Sequence, residues 1–170
     1  MRILIIHHHS LPSKQSPVTG SGIRAYHIGT GLQAAGLQVQ FLCKAHWNDR
    51  WVQTIQQTIV TLAPDAIICT QLEDAAILPA TECPIIIDLY APRLLEVAYE
   101  SDEHRTASHI LLALARGDAF LLSNPRQTWH WMGIFALAGI DVRNDPSILV
   151  PLAAEIHPAK PSSELIFVGG

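Results

Sequence analysis

The chain has 170 residues, 49% of them apolar, which is enough for one hydrophobic core and too little for a second full domain. Its 11 Lys and Arg against 15 Asp and Glu give a net charge of −4 without long runs, which excludes a basic face for nucleic acid. Cys43, Cys69 and Cys83 lie far apart, each in or beside an apolar run, which excludes a disulfide framework and fits a reduced, cytoplasmic protein.

The amino terminus reads Met-Arg-Ile-Leu-Ile-Ile, and its apolar run stops at His7, too early for a signal-peptide core or a membrane span. Short runs rich in Ile, Val and Leu predict strands at Ile3–His7, Val39–Cys43, Ala66–Cys69, Pro84–Leu89, Ala119–Leu122 and Ser147–Val150. Helical patterns fall between them, at Ile23–Ala35, Arg50–Ala63, Leu72–Ala80, Leu94–Arg116 and Pro125–Ala138. Gly36 stands where the first helix should stop, and Asn124-Pro125 where the last should start. Strict β-α alternation predicts an α/β fold, a doubly wound and mostly parallel sheet of about six strands, with ligands at the carboxyl ends of the strands. The segment Trp129 to Ala138 is apolar nearly all round, so it needs a partner besides the sheet; a protein surface fits better than a membrane, because the segment lacks a basic polar face.

Thr19-Gly-Ser-Gly-Ile-Arg-Ala25 carries the first candidate chemistry, since glycines at a helix start let backbone N–H groups face an anion. Its letters fit the G-x-G-x-x-A dinucleotide fingerprint. The context does not: Ser10 to Thr19 separate it from the first strand, and the second strand ends in Phe41-Leu-Cys-Lys44 with no acid for a ribose. Read as an exposed loop, the segment should tolerate Gly22→Val without loss of fold. Asp88 follows Pro84-Ile-Ile-Ile87 at the ligand edge, either as a hydrogen-bonding group or base, or as a cap for the next helix. Tyr90 beside it, Ser123 and Asn124 at the end of the fifth strand, and His9 at the end of the first share that edge. Nine histidines show no ligand spacing with each other or with acids, so no metal is expected, and no cofactor.

The opening Met-Arg-Ile-Leu-Ile-Ile, the long loop, Gly20-Ser-Gly-Ile-Arg-Ala-Tyr-His and Gly31-Leu-Gln-Ala-Ala-Gly resemble the start of nucleotide-sugar-dependent glycosyltransferases of GT-B architecture, group 1 or family 4-like type. The likeness continues through Asp88-Leu-Tyr-Ala-Pro92, Phe120-Leu-Leu-Ser-Asn124 and Phe167-Val-Gly-Gly170. It implies two Rossmann-like domains facing across a cleft. Residues 1–150 would be the acceptor-side domain, 151–164 a linker, and 165–170 the start of a carboxyl-terminal donor domain. It further implies a nucleoside diphosphate sugar as donor, transfer with retention and without metal, and an acceptor that is a sugar, a lipid-linked sugar or another small molecule. Lipid-linked acceptors would bring the cytoplasmic protein to the membrane periphery. Gly20, Ser21, Gly22 and Arg24 would bind the donor, Asp88 would be catalytic, and His9, Tyr90, Ser123 and Asn124 would line the acceptor cleft. Where the family commonly carries a histidine after the fourth strand, this chain has Asp88, Leu89 and Tyr90. The rival readings are an NAD- or nucleotide-binding Rossmann protein and a non-enzymatic module that binds a small ligand or a protein.

Overall fold

A computed structural model describes residues 1–12, 19–44, 50–97 and 103–152, with the backbone alone at 97 and 103–106. In chain order the elements are β1 (Arg2–His7), α1 (Gly20–Ala34), β2 (Gln38–Cys43), α2 (Arg50–Leu62), β3 (Ala66–Cys69) and α3 (Leu72–Ile77). There follow β4 (Ile85–Asp88), α4 (Arg93–Val97), α5 (Glu103–Leu114), β5 (Ala119–Leu122), α6 (Pro125–Leu137) and β6 (Ser147–Leu149). The six strands form one sheet in the order β2-β1-β3-β4-β5-β6, every pair parallel. This is a Rossmann-like α/β sheet. The chain runs from β1 out to β2 and then crosses to β3, so the strand order reverses between β1 and β3, where such sheets open a crevice at their carboxyl ends.

The four central strands, β1, β3, β4 and β5, are largely buried on both faces because both faces carry helices. Leu4, Ile6, Ile67, Cys69, Ile87, Phe120 and Leu122 point to the larger core. There they meet Trp51 and Ile55 of α2, Ala75 of α3, Ile110 and Leu114 of α5, and Trp131 and Phe135 of α6. Phe135 lies 4.5 Å from Phe120 between ring centres, which fixes α6 on β5. Ile3, Ile5, Ala66, Ile68 and Leu121 point the other way, onto Ala25, Ile28 and Leu32 of α1. On α6 the side away from the sheet leaves Trp129 and Leu137 largely exposed, which matches the surplus apolar surface read from its sequence.

Most element ends have visible causes. Helix α1 stops in a Schellman turn: Gly36 takes φ +85°, its N–H reaches the Gln33 carbonyl, and the Leu37 N–H reaches Leu32. Gly139 ends α6 the same way. Helix α3 is shorter than predicted because Leu78 precedes Pro79 and is forced to extended backbone (φ −55°, ψ 139°). The single helix expected over Leu94–Arg116 is two, α4 and α5. The linker from residue 153 onward and the run 165–170 lie outside the described residues.

The glycine segment is a helix start and not a loop. Thr19 caps α1, its Oγ1 accepting from the Gly22 N–H at 3.2 Å, so Gly20, Ser21 and Gly22 form the first turn. Gly22 is buried, and a Cβ placed on it would collide with the backbone carbonyl of Ser10. The expectation that Gly22→Val would spare the fold is therefore corrected: the long β1-α1 connection packs its backbone directly on this residue. Gly20 is exposed, and a Cβ there would meet nothing within 4 Å. Gly22→Ala should cost about 1–3 kcal/mol of stability by overpacking, whereas Gly20→Ala should gain about 0.5 kcal/mol by removing glycine entropy. Urea midpoints of the two variants, with unchanged slopes, check this contrast.

Candidate functional site

The carboxyl ends of β1, β3 and β4 adjoin in the sheet, and between them opens a cleft of about 230 Å³. The segment after β1 contributes His8 and His9, that after β3 contributes Thr70, Gln71 and Glu73, and β4 with its following turn contributes Asp88 and Tyr90. Helix α4 contributes Arg93 and Glu96 to the lining. Arg93 stands 3.6 Å from both Glu73 and Glu96, so the cation lining this cleft already faces two carboxylates.

Asp88 borders the cleft, yet its side chain is fully buried and turned onto α1. Arg24 Nε donates to both of its oxygens, at 3.0 and 2.8 Å, and Nη2 donates to Oδ1 at 2.8 Å. The remaining guanidinium nitrogen, Nη1, donates to the carbonyls of Val150 at 2.9 Å and Pro151 at 3.3 Å. Burial pushes the Asp88 carboxyl above the ordinary carboxylate range, against the pull of the Arg24 hydrogen bonds and charge. Arg24 is thus a buried, paired side chain and not a solvated helix residue, and Asp88 is turned to Arg24 and not to a helix start. Sequence patterns show each residue on its own element and cannot show that the helix arginine and the strand-end aspartate meet across 64 positions.

The other expected site residues divide into groups. His9 and Tyr90 line the cleft. Gly20 and Arg24 instead border a separate, more apolar hollow of about 120 Å³ with Ile23, His27 and Val150 to Leu152. Ser21 and Gly22 are buried in the first turn of α1. Ser123 and Asn124 serve the start of α6: Asn124 Oδ1 accepts from the Gln127 N–H, while Gln127 Oε1 accepts from the Ser123 N–H at 2.7 Å and its hydroxyl at 2.9 Å. Gln127 Nε2 then donates to the Tyr90 carbonyl at 2.7 Å, tying the α6 cap to the cleft wall. Gln127 was legible as the third residue after an N-cap, the position from which a glutamine reaches back.

The structure adds a cluster that the sequence did not suggest. Asp74, in the first turn of α3 and completely buried, accepts from the Trp51 indole N–H at 2.9 Å, and its other oxygen lies 2.6 Å from His8 Nε2. Lys44 Nζ sits 5.7 Å from the centre of the Trp51 ring. An acid in the first turn of a helix ordinarily reads as a solvated dipole partner, which hides such a role. Beside it, His7 is buried, donates from Nδ1 to the His9 carbonyl at 2.8 Å, and meets the Phe41 ring edge-on. Among the described residues no group of three or more His, Cys, Asp or Glu is placed to hold a metal ion, and no helix is long and apolar enough to cross a membrane.

No protein-family model matches this chain, and no curated protein matches it at a significant level.

Both buried groups can be probed by unfolding. Arg24→Met strands a buried carboxylate and should destabilise the protein by about 3–5 kcal/mol, while the double variant Arg24→Met/Asp88→Leu should recover most of that loss; urea unfolding measures both. Burial lowers the His7 pKa from its ordinary 6.5, so below that pH the unfolded chain binds more protons than the folded one. Stability present above pH 6.5 should therefore be lost as pH falls through the depressed folded value, and His7→Gln should flatten this part of the melting-temperature profile.

Proposed function

We propose that this chain is the acceptor-side domain of a glycosyltransferase that moves a sugar from a nucleoside diphosphate sugar to a small hydroxyl-bearing acceptor. The observation that carries the reading is the polar cleft at the carboxyl ends of β1, β3 and β4, where His9 and Tyr90 meet Thr70, Gln71, Glu73, Arg93 and Glu96. Side chains of this kind donate to and accept from sugar hydroxyls, and the volume is below the roughly 300–1,000 Å³ of pockets that hold drug-sized ligands. Further support comes from the resemblance of the glycine segment and of the turns after β4 and β5 to group 1 glycosyltransferases.

In this reading the acceptor enters the cleft, and the donor lies across its rim, near the amino terminus of α1 and the exposed Gly20. Oriented backbone N–H groups there would face the leaving diphosphate, with the charged groups of a donor domain completing its stabilisation. Arg24 would act indirectly, by fixing α1 against β4 and against the chain where it leaves β6. Most donor contacts would belong to the other domain, and the family resembled implies retention at the anomeric carbon.

Calorimetry of the 170-residue chain should show weak binding of uridine, guanosine or adenosine diphosphate sugars, near the millimolar range (about −4 kcal/mol). The product of the whole reading frame that contains it should release nucleoside diphosphate when donor and acceptor are both present. Tight NAD binding by the chain, at micromolar dissociation constants or below (about −8 kcal/mol), would overturn the reading in favour of a dinucleotide-binding protein.

A further inference from the structure

We propose that the outer edge of β2 is a self-association surface, on which a second copy of this chain lays its own β2 antiparallel to the first and joins the two sheets into one. The pairing stands whether or not the chain transfers sugar.

The surface is marked by the charge it lacks. Charged residues make up 15% of the chain, yet none falls between Ala25 and Cys43 or between Trp51 and Pro64. Those stretches hold most of α1, all of β2, and α2 from its second residue onward. Helix α1 packs on Phe41 from one face of the sheet, and α2 meets Gln40 on the other, so all three elements flank this edge. Gln40 of β2 and Gln53, Gln56, Gln57 and Thr61 of α2 are exposed and neutral. A well-behaved free surface carries about 25–35% Lys, Arg, Glu and Asp, whereas the centre of a protein–protein interface is depleted of charge. Two copies of net charge −4 meet without like-charge contact where charge is missing, and a foreign partner selected by charge finds nothing here to read.

The backbone supplies the geometry. Among the described residues β2 pairs with β1 alone. The Gln38 N–H donates to the Met1 carbonyl at 3.1 Å, and the N–H of Lys44, directly after the strand, to the His7 carbonyl at 2.8 Å. Alternate residues of a parallel ladder face the neighbouring strand, so Gln38, Gln40 and Leu42 give their backbone groups to β1, while Val39, Phe41 and Cys43 turn theirs outward. The edge carries no proline, no charged side chain and no bulge, the devices that ordinarily block strand addition. Gln40 Nε2 donates to the outward Phe41 carbonyl at 3.3 Å, an exposed contact that a strand bond would replace. The outward residues suit a two-fold axis: Phe41 faces Phe41 of the second copy, Val39 faces Cys43, and each pair exchanges two hydrogen bonds. On the α2 face Gln40 then meets Leu42, and the neutral grooves of about 420 Å³ between β2 and α2 come together across the junction.

Sedimentation equilibrium of the 170-residue chain should give twice the 18.6 kDa of one copy at micromolar concentration. Gln40→Lys sets two lysines diagonally across the junction, about 7–8 Å apart and inside the screening length. It should weaken the dimer about tenfold or more while the far-ultraviolet circular dichroism stays that of the parent. Val39→Cys reads the register. Within one strand positions 39 and 43 are about 13 Å apart and cannot join, but the two-fold brings position 39 to about 5.5 Å from Cys43 of the second copy, within disulfide reach. Mild oxidation should therefore link two copies through positions 39 and 43, seen as a doubled mass on a non-reducing gel and located by peptide mapping, and should leave the parent unlinked. A chain that stays monomeric overturns the proposal and leaves the edge to a strand of another protein. So does a dimer that Gln40→Lys leaves intact, or a Val39→Cys dimer that oxidation fails to link at 39 and 43.

Discussion

The contact between Arg24 and Asp88 joins three parts of the chain that the sheet's own hydrogen bonds leave separate. Asp88 is the last residue of β4, Arg24 lies in the second turn of α1, and the carbonyls of Val150 and Pro151 mark the departure from β6. Helix α1 is the sole described helix in the smaller core, where Ala25, Ile28 and Leu32 meet Ile3, Ile5 and Ile68. Apolar contact of this kind is non-directional and would tolerate sliding. A side-on guanidinium with fixed donors on both carboxylate oxygens would not, so the ion pair sets where α1 begins relative to the strand ends. Buried pairs add little net stability against an apolar replacement, and their best-attested use is to select one arrangement among several.

A second buried charge lies on the other face. Leu4 and Ile6 of β1 point into the larger core, while Ile3 and Ile5 point into the smaller. At the strand end the neighbouring histidines follow the same division: His7, the last residue of β1, meets Phe41 on the α1 side, and His8 meets Asp74 of α3. Arg24–Asp88 and Asp74–His8 therefore bracket the carboxyl edge of the sheet from opposite faces. The cleft opens beside both, bordered by Asp88 and lined by His8.

The strands were legible because a parallel sheet covered on both faces demands unbroken apolar runs, and Ala66–Cys69 and Ala119–Leu122 lie where their composition places them. Helix boundaries were legible where one residue decides them, as Gly36 and Pro125 do. The start of α1 was misread because two glycines suggested a loop, when Thr19 supplied a cap and the Ser10 backbone required the missing side chain at Gly22. Among residues at the cleft, the placement of His9 and Tyr90 followed from strand ends alone. Arg24, Asp74 and Trp51 did not, because their roles depend on partners 64 and 23 positions away that no local pattern encodes.

The same distinction explains how polar residues are distributed along the edge. Ser123, Asn124 and Gln127 satisfy one another and the Tyr90 carbonyl, so the β5-α6 turn is internally closed and acts as a fixed wall. The β1 and β3 ends are arranged differently. Thr70 turns its hydroxyl inward to the Ile6 carbonyl at 3.2 Å, and Gln71 makes no capping bond, while His8, His9 and Glu73 border open space. Polar groups that cap helices are matched within the protein, and those at the β1 and β3 ends border the cleft where the strand order reverses. One wall of the cleft is thus held by hydrogen bonds from the β5-α6 turn, and His8 lies at its edge beside Asp74. The two buried carboxylates stand beneath this edge, one holding the helix that flanks it and the other against the ring of His8.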